Sequence, residues 1–139
     1  MFNLLSSYTG EGRYRDIAEA GMGYLTSPPV LEAFAFLPDL LLAEDELLHE
    51  PVHVTIVGPK NDPRARDLYR SALSYPLLHK RAEWWDKREG PLASADVEYP
   101  EFPDGPAAFA CTRTFCSYPV TNPSDISKQL DGLNRAIKR

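Results

Sequence analysis

VHVTIVGPKNDPRARDLYRSALS, residues 52–74, is the stretch of this sequence from which the fold class follows. Its first seven residues, Val52–Gly58, are β-branched and mostly apolar, which is typical of an interior strand. Asp62 and Pro63 then indicate a helix start, because an Asp cap precedes a proline in the first turn. The helix that they open, Arg64–Ser74, is expected to turn four side chains inward: Ala65, Leu68, Tyr69 and Leu73.

Two more strands and one more helix are predicted downstream. Leu77–Trp85 alternates enough between apolar and polar residues to predict a second strand, and Ala107–Phe115 predicts a third. Between them, Gly90–Pro106 holds four prolines and two glycines without any period, which is typical of a loop. Pro123–Ile137 closes the chain as a helix.

The first half of the chain is helical in pattern. Phe2–Ser7 is predicted to be the end of a helix that the Thr9–Gly10 turn stops, and Arg13–Leu25 is predicted to be an amphipathic helix. Val30–Leu48 is apolar on more than one face, so it should be buried against several neighbours or against another chain. Pro38 should bend this helix or split it near Phe34–Leu37, because proline cannot continue a helical hydrogen-bond pattern.

These elements together predict the architecture. The order strand, helix, strand implies a right-handed crossover and a parallel pair, and Asn122 or Ser124 should cap the last helix. We therefore expect an α/β fold, with an N-terminal helical hairpin followed by a small βαβ-loop-βα unit that contains a mostly parallel three-stranded sheet. The helical segment would span residues 1–48 and the α/β unit residues 49–139, packed together as one globular module.

Composition narrows the classes of function. The net charge of −5 argues against a general nucleic-acid binder, and the cluster of Lys80, Arg81, Lys87 and Arg88 is interleaved with acidic residues, as in a solvated strand end. No apolar stretch approaches the roughly 20 residues that a membrane span needs, and the N-terminus lacks the pattern of a secretory signal. We therefore expect a cytoplasmic protein, where two cysteines favour free thiols over a structural disulfide.

His49-Glu50-Pro51-Val52-His53 matches the zinc-protease pattern H-E-x-x-H. That motif works on a helix, where residues four apart share one face and both imidazoles reach one metal ion. Here Pro51 separates the two histidines and a strand follows, so the pattern indicates a junction between a helix and a strand. No metal, no cofactor and no catalytic residue is predicted, since the chain also lacks a G-x-S-x-G nucleophile elbow.

Four residues are candidates for ligand binding: Gly58, Lys60, Trp84 and Trp85. A glycine between a strand and a helix start is where phosphates bind in open α/β sheets. This turn has one glycine, and its prolines lack the amide N–H groups that would bind an anion. Asp62 would also repel an anion, so we predict an ordinary capped turn. The two adjacent tryptophans could stack on a sugar, although such a pair more often has one ring in the core and one covering it.

Cys111 and Cys116 are the chain's two cysteines. In an extended strand their Cα atoms would be ~16 Å apart, far beyond what a disulfide spans, so only a turn or bulge at Thr112–Phe115 could pair them. The pair lacks the helix start that activates a thioredoxin-type C-x-x-C, and a zinc site would need more ligands. Small buried side chains are the favoured interpretation; a redox or disulfide pair and a metal site are the alternatives.

The cysteine tail also carries a family resemblance. Ala107–Leu130, with A-F-A-C-x4-C-x2-P-V-T-N-P, resembles the C-terminal end of the large thioredoxin-domain-containing proteins, which include the spermatogenesis-associated thioredoxin-like protein of animals and its bacterial counterparts. Val52–Gly58 with Asn61-Asp62-Pro63 is similar to the strand and turn that precede this tail. Asn3-Leu4-Leu5 with Tyr8-Thr9-Gly10 and Tyr14 resembles the last helical pairs of the family's barrel.

The resemblance implies a thioredoxin-like domain, then an (α/α) toroid similar to sugar epimerases and glycosidases, then the short end seen here. No residue of this chain corresponds to the thioredoxin C-x-x-C. The chain would be about the last sixth of a larger protein, and its N-terminal helices would be the end of the toroid.

We therefore expect a non-catalytic structural or interaction module rather than an enzyme acting on its own. Its partner would be a second copy or an upstream toroid- and thioredoxin-containing protein, with no role for nucleic acid or membrane. The contact residues would be Phe34, Phe36, Leu37, Leu41 and Leu42. Two alternatives stay open. One is a thiol-redox accessory that uses Cys111 and Cys116. The other is a carbohydrate-related function completed in trans by a toroid partner, with Trp84, Trp85 and the end of the Val52–Gly58 strand near the ligand.

Overall fold

The computed structural model describes residues 1–34, 37–77, 79–93, 97–100, 102–112 and 114–137, the side chains of residues 136 and 137 excepted. The chain divides into two compact units, Met1–Pro51 (unit 1) and Val52–Arg139 (unit 2). Over the described ranges, every helix is too short or too polar to cross a membrane.

The described residues of unit 1 form four helices: α1 (Phe2–Thr9), α2 (Gly12–Leu25), α3 (Pro28–Ala33) and α4 (Pro38–Leu48). Gly10 ends α1 in a left-handed conformation with φ 72°, and its N–H donates to the carbonyl of Ser6. The apolar stretch 30–48 forms two helices, which confirms the predicted split at Pro38. Leu37 lies outside the helical region with φ −129° and ψ 72°, because a residue before proline is pushed out of the α region.

Polar contacts connect the helices of unit 1. The side chain of Asn3 donates to the carbonyl of Glu46, and the Arg15 guanidinium donates to the carbonyl of Leu47 at 3.0 Å. Asn3 is the buried residue of α1. Among the described residues of unit 1 no apolar side chain is buried, so these helices have no closed hydrophobic core of their own.

In unit 2, the part of the chain that the structure describes forms a three-stranded sheet and two α-helices. Its elements are β1 (Val52–Val57), α5 (Pro63–Ser74), β2 (Lys80–Trp85), a single 3₁₀ turn (Lys87–Glu89), β3 (Ala107–Cys111) and α6 (Pro123–Ile137). The strand order is β2-β1-β3. β1 runs parallel to β2, with Val52 beside Lys80, and antiparallel to β3, with Val57 beside Ala107. The α/β class and the mostly parallel three-stranded sheet are therefore confirmed.

Both predicted helix caps of unit 2 form. Asp62 Oδ1 accepts a hydrogen bond from the Arg64 N–H at 2.8 Å, and Asn122 Oδ1 accepts from the Ser124 N–H at 3.1 Å. Each bond satisfies an amide that has no partner inside its helix. Asn122, rather than Ser124, is the cap of α6.

The core of unit 2 lies between the sheet and its two helices. Alternate residues of each strand face α5 and α6, because successive side chains of a strand point to opposite faces. The largest fully buried side chains on this side are Val54, Ile56, Leu68, Ile126 and Leu130. The other side of the sheet is covered by Tyr99 and other residues of the loop between β2 and β3.

The inward stripe of α5 differs from the prediction at one position. Ala65 and Leu68 are fully buried as expected, and Tyr69 packs at the edge of the core. Leu73 is 50% exposed, whereas Ala72 is completely buried. The stripe runs through 65, 68 and 72, a spacing of three and four, and so passes beside Leu73.

Candidate functional site

The four ligand candidates meet at the carboxyl end of β1 and β2. The Gly58 N–H donates to the Trp85 carbonyl at 3.0 Å, and Trp84 Nε1 donates to the Gly58 carbonyl at 3.0 Å. The Lys60 N–H donates to Asp86 Oδ2 at 3.0 Å. The strands are parallel, so their carboxyl ends lie at the same edge of the sheet, where ligands of α/β proteins commonly bind.

An internal carboxylate occupies this turn. Asp86 is buried and accepts hydrogen bonds from the N–H groups of Lys60 and Arg88, at 3.0 and 3.1 Å. The Arg88 guanidinium, and secondly the Lys60 amide, hold the pKa of Asp86 well below its usual range. An incoming phosphate would have to displace this carboxylate. The surrounding groove carries both signs of charge; it is lined by Lys60, Asn61, Arg66, Asp86, Arg88 and Glu89.

Gly58 has a packing role in the same turn. A Cβ at this position would lie 2.6 Å from Pro106 Cβ, which is too close for any real pair of carbon atoms. The absence of a side chain therefore lets the end of the long loop pack directly against the turn. This contact is independent of any ligand.

The two tryptophans are divided between the faces of the sheet. Trp84 packs beside Tyr69 on the helix side, with ring centroids 5.7 Å apart, and Trp85 lies 6.1 Å from Tyr99 on the loop side. Both are half-buried. Trp85 Nε1 donates to the Gly90 carbonyl at 2.8 Å, so both indole N–H groups bind backbone carbonyls. The carbohydrate-related alternative, which needs an accessible ring, stays a prediction.

Cys111 and Cys116 form a disulfide, with an S–S distance of 2.10 Å and Cα atoms 4.1 Å apart. The expectation of free thiols was therefore wrong. β3 ends at Cys111 rather than at Phe115, and the chain reverses so that Cys111 and Cys116 form an antiparallel bridge. The Thr112 N–H donates to the Phe115 carbonyl at 2.7 Å and closes this turn. Across the described part of the chain, no group of three or more His, Cys, Asp or Glu residues is arranged to hold a metal ion.

The two halves of the disulfide lie in different surroundings. Cys111 is 2% exposed and belongs to the cluster on the loop side of the sheet, whereas Cys116 is exposed. Phe115–Val120, which we call the return segment, continues from the turn. The Ser117 N–H donates to the Ala110 carbonyl at 2.9 Å, and Gln129 Nε2 donates to Ser117 Oγ at 2.6 Å.

A largely buried polar cluster lies on the loop side of the sheet, and the sequence did not predict it. Its members are His53, Thr55, Arg81, Glu83 and Tyr99. His53 Nε2 lies 2.6 Å from Glu83 Oε2, and Thr55 Oγ1 lies 2.9 Å from both His53 Nε2 and the Tyr99 hydroxyl. Arg81 Nη2 lies 2.8–2.9 Å from the two ring nitrogens of His53.

The strand register explains how this cluster assembles. His53 pairs with Arg81 and Thr55 with Glu83, so the four side chains are neighbours on one face. The signal was present as alternation in both strands, but Tyr99 comes from a loop without any period. The expectation that Arg81 is solvated was wrong, because it is 7% exposed and its guanidinium lies 3.4 Å from the Glu83 carboxylate.

The chemistry available to the polar cluster is limited by its internal bonds. Both ring nitrogens of His53 already face protein groups: Glu83 and Thr55 at Nε2, Arg81 and Tyr99 on the Nδ1 side. Burial raises the pKa of Tyr99, so its hydroxyl stays neutral. The cluster therefore neutralises buried charges and attaches the loop to the sheet.

The two histidines of the H-E-x-x-H pattern have separate environments. His49 is exposed at the end of α4, and its Nδ1 lies 2.9 Å from the Asp45 carbonyl. His53 lies within β1 and belongs to the polar cluster. The pattern thus spans a helix end and a strand start, as the proline between them indicated.

No protein-family model matches this sequence, no curated protein matches it, and no solved structure matches it. The resemblance to the thioredoxin-domain-containing family stays a prediction that rests on the residues quoted for it.

Proposed function

We propose that this chain is a non-catalytic interaction module whose unit 1 docks onto a helical partner with an apolar, basic-rimmed surface. One observation carries the proposal: many large apolar side chains of unit 1 are exposed, and among its described residues no apolar side chain is buried. Those exposed on α2, α3, α4 and the link between α3 and α4 are Ile17, Tyr24, Leu25, Leu31, Phe34, Leu41, Leu42 and Leu48.

The docking surface that we propose centres on α3 and α4. Phe34, Leu41 and Leu42 are 57, 64 and 52% exposed, and Leu37 is half-buried; Phe36 lies outside the described residues. Full burial of one such side chain stabilises by about 1.5–3 kcal/mol. Covering the exposed half of Phe34, Leu41 and Leu42 would therefore contribute on the order of 2–5 kcal/mol to association before its entropic cost.

Charge favours a different protein over a second copy. Residues 1–51 contain nine acidic and two basic residues, which gives a net charge of −7. Residues 52–139 have a net charge of +2, so the whole chain has −5. A symmetric dimer through unit 1 would bring two strongly acidic surfaces together. A partner with Lys and Arg around an apolar groove complements both properties. The helical surface of an (α/α) toroid, which the family resemblance implies, is the partner that we favour.

The internal bonding of unit 2 supports a non-catalytic role. Carboxylates and imidazoles are typical reactive groups in other proteins. Here the side chains of Asp86, His53 and Glu83 form hydrogen bonds with other groups of the same chain. The ligand candidates at the carboxyl end of the strands serve packing and hydrogen bonding within the unit.

Two synthetic amphipathic helices of equal length test this proposal, one built from Leu and Lys and one from Leu and Glu. We expect the Leu/Lys helix to bind the full chain and the Leu/Glu helix not to bind, by fluorescence anisotropy at low salt. The double variant Leu41→Ser/Leu42→Ser should lose at least tenfold in affinity. Leu73→Ser, which changes an equally exposed leucine of unit 2, is the matched control and should bind like the unmodified chain.

Circular dichroism of both variants controls for folding, and sedimentation of the chain alone reports self-association. Equal affinity for the two helices, or binding that survives Leu41→Ser/Leu42→Ser, would contradict the proposed surface. A dimer that disappears in the double variant would show that the occupant is a second copy and would overturn the charge argument.

A further inference from the structure

We infer that the Cys111–Cys116 disulfide is a thiol–disulfide exchange site, that its attacked sulfur belongs to Cys116, and that its co-reactant is a dithiol protein. This goes beyond the interaction proposed for unit 1 and rests on different residues. The disulfide joins residues five apart at the end of β3, outside the helix-facing core.

The unequal exposure of the two cysteines sets the direction of attack. Exchange requires a thiolate to reach one sulfur while the other leaves, so access decides which sulfur is attacked. Cys111 is enclosed by the loop-side cluster that includes Phe109 and Tyr99, whereas Cys116 is exposed at the surface. An incoming thiolate therefore meets Cys116, and Cys111 is the leaving group.

The reaction balances with a dithiol as reductant. A thiolate of the partner attacks Cys116 Sγ, a mixed disulfide forms, and the bond to Cys111 breaks with its electron pair on Cys111 Sγ, which takes up a proton. The partner's second thiol loses its proton and attacks the partner's own sulfur in the mixed disulfide, which releases Cys116 as a thiolate that takes up the second proton. The partner ends as a disulfide and this chain as two thiols, after the transfer of two electrons and two protons.

Two aromatic side chains provide a docking surface beside the attacked sulfur. Phe115 and Tyr118 are 59 and 93% exposed and flank Cys116 in sequence. Exposed aromatic residues are common anchors of protein interfaces, because they cover a large area with few rotatable bonds. This pair therefore favours a protein dithiol over a small thiol.

The fold around the disulfide does not depend on it alone. The Ala108 and Val120 backbones exchange two hydrogen bonds of 2.8 and 3.0 Å, and Gln129 Nε2 donates to the Tyr118 carbonyl at 2.7 Å. These contacts keep the return segment beside β3 and α6 when the S–S bond opens. A short closed loop also restricts the unfolded chain less than a long one does.

Mixed-disulfide trapping tests the inference on the full chain. The probe is a thioredoxin whose second active-site cysteine is replaced by serine, so that the mixed disulfide cannot resolve. Peptide mass spectrometry should find the adduct at Cys116 at least tenfold more often than at Cys111. Phe115→Ala/Tyr118→Ala should slow trapping about fivefold but leave reduction by dithiothreitol unchanged. Phe2→Ala, which removes an exposed aromatic of α1, should leave both rates unchanged.

Tryptophan fluorescence of the reduced chain should match that of the oxidised chain, because unit 2 stays folded. Preferential trapping at Cys111, or reduction that requires a denaturant, would overturn the inference and assign the disulfide a structural role. If Phe115→Ala/Tyr118→Ala slowed reduction by dithiothreitol as much as it slowed trapping by thioredoxin, the proposed docking surface would be refuted.

Discussion

Replacing Leu68 with alanine removes a fully buried side chain from the core that α5 shares with α6 and the sheet. The cost has two parts, the lost transfer of the side chain from water and the cavity left behind. Large-to-small changes of this kind cost about 2.7–5 kcal/mol, depending on how far the surroundings relax. Because Leu68 shares its core cluster with the fully buried strand residues Val54 and Ile56, we expect about 3–4 kcal/mol.

Leu73 provides the matched control. It is the same residue type on the same helix, so Leu73→Ala changes helix propensity equally, but its side chain is 50% exposed. Its substitution should cost about 1 kcal/mol or less. The difference between the two variants therefore isolates burial, and it tests the finding that the inward stripe passes through Ala72 rather than Leu73.

Urea unfolding followed by tryptophan fluorescence measures both variants, since Trp84 and Trp85 both lie in unit 2. With a slope of about 1.5 kcal/mol per molar urea, Leu68→Ala should lower the midpoint by roughly 2 M and Leu73→Ala by less than about 0.7 M. Equal shifts, or a larger shift for Leu73→Ala, would refute the core assignment of α5.

Two further outcomes follow from the carboxyl end of the strands. Gly58→Ala should destabilise unit 2 by about 1–3 kcal/mol, because the new Cβ would clash with Pro106. Gly132→Ala on α6 should instead stabilise the unit by about 0.5–1 kcal/mol, because its new Cβ would meet no atom within 4 Å. A destabilising effect of Gly132→Ala would contradict this expectation. The lowered pKa of Asp86 means that its contribution to stability is complete above the unfolded-state pKa of about 3.9 and is lost as the pH falls toward the folded-state pKa. Asp86→Asn should therefore flatten the decline of the urea midpoint between pH 4 and pH 2, roughly the window of that shift. A pH profile equal to that of the unmodified chain would contradict the assigned shift.

Local signals in the sequence identified most of the regular structure. Asp62 and Pro63 start α5, Gly10 ends α1, and Pro38 separates α3 from α4. Each of these effects acts through bonds within one turn of helix, so a few residues are enough to predict it. The β-branched and mostly apolar run Val52–Val57 likewise identified the central strand.

The disulfide shows where local signals end. Thr112–Phe115 contains neither glycine nor proline, so nothing in its composition predicts the reversal that brings Cys111 to Cys116. Contacts outside the turn hold the reversal in place. Val120 forms an antiparallel bridge with Ala108, and the Gln129 side chain of α6 donates a hydrogen bond to the return segment. The candidate exchange site was therefore visible as a cysteine pair, but its pairing and its unequal exposure were not.

The polar cluster shows the same limit. The sequence predicts that Arg81 belongs to a solvated cluster of basic residues. Arg81 contacts His53, 28 residues away in the sequence, only because of the register in which β2 pairs with β1. Tyr99 joins from the loop, 44 residues from Thr55. Burial of these groups depends on which strands pair and on what covers them, and neither is encoded within a short window.

The sequence by itself determined the helices of unit 1, the strand–helix–strand order of unit 2 and the caps of α5 and α6, because propensity, capping and proline geometry act between near neighbours. Only the tertiary structure decided that the cysteines are joined, that the polar cluster is buried, and that Ala72 rather than Leu73 enters the core. Those outcomes depend on contacts between elements, whose energies are set by register and packing rather than by the local order of residues.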